Sequence, residues 1–90
     1  MSQAIVNPTE LRRFANNLRQ FNADLEERMK SLSSQLQNLH ATWRDQEHQK
    51  FVEDFEHQIK AIGHFIEATN EHAPFLLRKA ERIEDYLQQR

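Results

Sequence analysis

Apolar residues return every three or four positions along almost this whole chain, in two runs that meet at residues 41–45. The first run is Leu11, Phe14, Leu18, Phe21, Leu25, Met29, Leu32, Leu36, Leu39 and Trp43. Its steps alternate between three and four, with one doubled four at Leu25 to Met29. That spacing makes a coiled-coil-like seam on an α-helix, with a stutter that locally unwinds the supercoil. The second run is Val52, Phe55, Ile59, Ile62, Ile66, Thr69, Ala73, Leu76, Ala80, Ile83 and Leu87. It keeps the three–four spacing without a fault, and helical geometry turns such a run into one continuous face.

The ends of both helices carry chemical signals. Asn7 can cap the first, Pro8 suits its first position, and Glu10 can reach back to the cap. Val6 and Leu11 sit where a hydrophobic staple forms. The pattern predicts helix 1 from about residue 8 to 40 and a turn over 41–45. Asp45 caps a second helix from about 46 to 88, where Asp45 and Glu47 also favour the positive end of the helix dipole. Pro74 falls inside that helix. Because the apolar phase is the same on both sides of it, the expectation is a kinked but continuous helix, with a third short helix from Phe75 as the alternative. Asp24 with Arg28 and Glu26 with Lys30 stand four apart as exposed ion pairs.

A turn of about five residues between two long helices makes them antiparallel neighbours. The predicted fold is therefore all-α: one helical-hairpin domain over residues 1–90. The hairpin and dimer core is expected at Leu11, Phe14, Leu18, Phe21, Leu25, Leu32, Leu36, Leu39, Phe55, Ile59, Ile62, Phe65, Ile66, Leu76 and Ile83. Phe51, Phe65, Phe75 and Leu77 lie beside the main seam of helix 2, and they widen the apolar face beyond what helix 1 covers. Pairing two hairpins into a four-helix bundle would bury both stripes.

Composition narrows the function. A single Gly and two Pro leave little material for strands or linkers. The net charge of -2, with mixed signs along the chain, argues against a nucleic-acid partner. The absence of cysteine excludes disulfides, thiol catalysis and thiolate metal sites. Residues 1–7 lack a basic region followed by an apolar run, and no stretch reaches membrane-spanning length. The chain is thus expected to be made in the cytoplasm, with no stable membrane insertion. No nucleophile–base arrangement or phosphate loop can be proposed, so neither an enzyme nor a cofactor is expected. Five histidines, His40, His48, His57, His64 and His72, raise a metal question. Asp45-x-x-His48 and Asp54-x-x-His57 have ligand spacing, but an apolar seam of Ile, Phe and Leu leaves no polar layer for a bundle metal centre.

At the turn, Trp43-Arg44-Asp45 followed eight residues later by Phe51, between two helices of a roughly hundred-residue chain, resembles the WXG family of small helical-hairpin type VII (ESX) secretion substrates. The resemblance spans nearly the whole chain. It implies antiparallel hairpins that pair, with themselves or with a sister hairpin, into four-helix bundles. It also implies no enzymatic activity and export by a signal-peptide-independent route through a type VII secretion ATPase. Trp43 matches the motif tryptophan and Phe51 the following aromatic, while Asp45 stands where the family has glycine. The family's secretion signal is a tyrosine followed four residues later by an acid. Here Tyr86 is followed at that spacing by Arg90, a reversed charge. A non-exported structural or adaptor coiled coil of a larger assembly is the alternative reading, and a metal-binding four-helix bundle is a third.

Overall fold

The computed structural model describes residues 6–89 of the 90 and contains two α-helices joined by a short turn. Helix α1 spans Pro8–Leu39 and α2 spans Gln46–Gln88. The Asn7 side chain accepts hydrogen bonds from the Thr9 and Glu10 N–H groups at 2.9 and 3.3 Å, satisfying two of the first-turn donors. Asp45 does the same for α2, its carboxylate accepting from the His48 N–H at 3.0 Å. Helix α2 runs unbroken through Pro74. Its 43 residues would be about 64 Å long if straight, and Pro74 does not end it.

The helices pack antiparallel, from the His40–His48 contact at the turn to the Arg12–Glu84 pair at the open end. Inward positions on α1 are Leu11, Ala15, Leu18, Asn22, Leu25, Met29, Ser33 and Leu36. On α2 they include His48, Val52, Phe55, Ile59, Ile62, Ile66, Thr69, Ala73, Leu76, Ala80 and Ile83. This corrects the sequence reading of helix 1 in two ways. Ala15 and Asn22 occupy the seam, and the neighbouring Phe14 and Phe21 point outward. The doubled four remains, shared by Leu25, Met29 and Ser33. Ala15, Ala73 and Ala80 are completely buried, because a side chain of one carbon lets the two helices close together there.

A polar layer crosses the middle of the hairpin, contrary to the expectation of a wholly apolar seam. Asn22 is 1% exposed, and its Nδ2 donates to Thr69 Oγ1 and to Asn70 Oδ1, both at 2.8 Å. Thr69 Oγ1 in turn donates back to the Phe65 carbonyl at 2.8 Å. Pro74 has no N–H to give the Asn70 carbonyl, so this cross-helix layer sits in the one turn of α2 that lacks an internal bond. A buried asparagine at a seam position fixes how two helices align, at some cost in stability relative to an apolar side chain of similar size. Gly63, where close helix approach could have been expected, has open space around the position a Cβ would take.

The exposed four-apart pairs of α1 do not form. Asp24 instead accepts from Gln20 Nε2 at 3.1 Å. Among the described residues the ion pair is Arg12 with Glu84, two-pronged at 2.5 and 2.7 Å, tying the open end of the hairpin together.

The hairpin is thin. Its radius of gyration is 20.2 Å, against about 12 Å for a compact chain of this length. It exposes 7593 Å², where a compact monomer of 10.8 kDa would expose about 5,500 Å².

Replacing Asn22 by Ala removes two cross-helix hydrogen bonds and should lower stability by about 1–2 kcal/mol. Chemical denaturation of the variant beside the parent measures this; an unchanged midpoint would show the layer to be energetically idle.

Candidate interaction surface and turn

The turn is built without glycine. Helix α1 tightens at its end: the N–H groups of Ala41 and Thr42 donate to the Asn38 and Leu39 carbonyls at 3.1 and 3.0 Å, and Trp43 N–H also reaches Leu39 O at 2.9 Å. Arg44 Nε donates to the His40 carbonyl at 3.0 Å, which satisfies another of the orphan carbonyls at the helix end. Asp45 takes an extended conformation, φ -83° and ψ -176°, and no described residue has positive φ. Nothing in this turn therefore needs the backbone freedom of glycine, and aspartate adds a cap that glycine lacks.

The turn gathers an aromatic cluster at the closed end. Half-buried Trp43 meets His48 edge-on, with ring centres 4.8 Å apart, and lies 6.0 Å from Phe51. Phe51 stacks on Phe55 at 6.1 Å. His48 is 4% exposed and touches His40, the ring centres being 5.2 Å apart. Of the three turn residues singled out from sequence, Trp43 and Phe51 thus meet directly, and Asp45 acts as the cap that holds His48 and the start of α2.

Along one flank of the hairpin runs an open apolar face. Phe14, Phe21, Leu32 and Leu39 are between 45% and 57% exposed, and their seven-residue steps, 14 to 21 and 32 to 39, align them. Across the seam Phe51 and Phe65, two heptads apart, are 48% and 47% exposed. Two shallow grooves continue into each other here. One of about 330 Å³ is lined by Leu32, Leu36, Leu39, Phe51 and Phe55. The next, of about 210 Å³, is lined by Leu25, Met29, Leu32, Phe55, Ile59 and Ile62. Phe75 is also exposed, and Leu77 is half-buried.

The core residues expected from sequence thus divide. Leu11, Leu18, Leu25, Leu36, Phe55, Ile59, Ile62, Ile66, Leu76 and Ile83 are buried or half-buried in the hairpin seam, whereas Phe14, Phe21, Leu32, Leu39 and Phe65 stand on the open face. Tyr86 is 73% exposed near the end of α2, and Arg90 lies outside the described residues. Sequence reading missed Ala15, Asn22 and Ser33 in the seam and placed Leu32 and Leu39 there instead of on the open face. The signal for Ala15 and Asn22 was present, since 15, 22, 29 and 36 are seven apart, but two larger aromatics one position earlier masked it.

The Arg12 guanidinium, by its hydrogen bonds and its charge, holds the Glu84 carboxyl below its ordinary value of 4.5. Among the described residues no helix is long and apolar enough to cross a membrane.

Comparison with known proteins gives a consistent result. The family model described as "WXG100: Proteins of 100 residues with WXG" matches residues 3–86. Crystal structures of a secreted protein EsxB from Bacillus anthracis str. Sterne share the fold. The selenomethionine-labelled form superposes with a TM-score of 0.76 at 21% identity, covering 96% of this chain and 98% of that one. The wild-type form in another crystal gives 0.75 at 21% identity, covering 93% and 97%. No curated protein matches the chain significantly in sequence.

A carboxyl held low stabilises the fold fully above its unfolded pKa, and that contribution disappears as the pH falls through the folded one. Acid titration should therefore weaken the parent more steeply below pH 4.5 than a Glu84→Gln variant. Parallel slopes in the two proteins would show that the pair does not stabilise the hairpin.

Proposed function

This chain belongs to the WXG100 family, and on that premise we propose that it is a non-enzymatic interaction module, a type VII secretion substrate or the co-secreted partner of one. It pairs through its open apolar face with a second hairpin, its own copy or a sister chain, to make a four-helix bundle. The observation that carries this reading is the face formed by Phe14, Phe21, Leu32, Leu39, Phe51 and Phe65, half exposed on a two-helix scaffold. The hairpin exposes about 2,000 Å² more than a compact monomer of its mass would. Two such hairpins would have to bury about 4,000 Å² between them to remove the excess, which is within the roughly 2,000–5,000 Å² that obligate partners commonly bury. The neighbouring structures are described as those of a secreted protein, which supports export for this chain. In this reading the Trp43 cluster at the closed end is what the secretion machinery, including its ATPase, recognises on the assembled bundle.

A second reading, a paired but non-exported structural partner, is favoured by Arg90 standing where the family's export signal carries an acid.

Three proteins expressed in the native host, with and without its type VII ATPase, separate the readings. The parent should be paired in solution and appear in the medium only when the ATPase is present. Phe14→Glu/Phe21→Glu should elute as a monomer and stay inside the cell. Trp43→Ala should stay paired but lose export. A monomeric parent would refute the pairing, and a paired parent that never leaves the cell would favour the structural partner.

A further inference from the structure

On the flank opposite the apolar face, the closed end of the hairpin carries a second groove that pairing through the aromatic stripe leaves open. It measures about 300 Å³ and is lined by Ser33, Leu36, Gln37, His40, His48, Val52, Phe55 and Glu56. We propose that His40 and His48 form a binding site for a divalent transition metal ion, zinc in the first instance, at the head of this groove.

The two rings come from different helices, His40 being the C-cap of α1 and His48 lying in the first turn of α2. His40 Nδ1 and His48 Nε2 stand 3.3 Å apart, with ring centres at 5.2 Å and planes tilted by 35°. Two imidazoles on one tetrahedral zinc, each at about 2.05 Å, have nitrogens about 3.3 Å apart and ring centres about 5.2 Å apart. Without metal the same contact is a bent N–H···N hydrogen bond between the two rings. Both observed separations are also those of nitrogens converging on a common ion, so binding would need little movement of either ring.

The surroundings fit that assignment. His48 is 4% exposed, fixed by the Asp45 cap on its own N–H and by the Trp43 edge, so half of the site is preorganised. Imidazole suits zinc, nickel and copper. The Glu56 carboxylate on the groove wall favours a cation over an anion. Among the described residues no third His, Cys, Asp or Glu converges with the pair, so water completes the coordination and the ion exchanges readily. Bound there, it ties the end of α1 to the start of α2 and holds Trp43 in place. His57, His64 and His72 are exposed and outside this cluster.

Trp43 is the only tryptophan in the chain, so its fluorescence reports on this site. The full chain, stripped of metal, is titrated with zinc by calorimetry and with nickel by Trp43 quenching. The expected result is one ion per chain and saturable quenching. His40→Gln, which alters an exposed residue and leaves the buried ring in place, should weaken both by about tenfold or more. A His57→Gln/His64→Gln/His72→Gln variant should bind like the parent. Absence of binding, binding unaffected by His40→Gln, or binding lost in the triple variant would each overturn the assignment.

Discussion

Two antiparallel helices can hide one narrow seam from each other, and these two helices carry a wider apolar surface than that. The remaining features of the structure respond to this mismatch. Inside the hairpin the completely buried side chains are small or polar: Ala15, Asn22, Ala73 and Ala80. Of the phenylalanines, Phe55 lies in the seam, while Phe14, Phe21, Phe51, Phe65 and Phe75 lie outside it. At roughly 25 cal/mol for each Å² of apolar surface removed from water, covering the half-exposed side chains of the open face would add hydrophobic stabilisation that the hairpin alone does not gain. On the proposed reading, another pair of helices completes the hairpin by covering that face.

Polar contacts add to the apolar seam in aligning the helices. The Asn22–Thr69–Asn70 layer supplies one in the middle, where Pro74 removes a backbone bond. Arg12 with Glu84 supplies another at the open end, and the capped turn with its aromatic cluster a third at the closed end. Asp45 shows how the glycine of the family motif can be dispensed with: the backbone stays in an ordinary extended conformation, and the side chain caps α2 in return. The closed end consequently presents two grooves, one bounded by Leu39 and Phe51 and the other headed by His40 and His48.

The architecture was legible in the sequence because helical periodicity, caps and a single break are local signals. Asn7, Pro8 and Asp45 mark their helix ends through short-range hydrogen bonds, and the phase of Ile66, Ala73 and Ala80 carried α2 through Pro74. The division of labour among the apolar residues of α1 was harder to read. Phe14 and Phe21 are more hydrophobic than Ala15 and Asn22, and one position of offset is only about 100° around the helix. Which of two adjacent stripes faces α2 depends on packing between elements far apart in sequence. The encounter of His40 with His48 was hidden for the same reason: it depends on the path of the turn, and residue spacing does not encode that path.

The central claim is that this hairpin is completed by a partner, and thermal unfolding of the purified chain over a wide range of concentrations tests it most directly. If folding and pairing are coupled, the midpoint climbs steadily as the protein is concentrated. A sharp cooperative transition at one fixed temperature, from the most dilute to the most concentrated sample, would contradict the account.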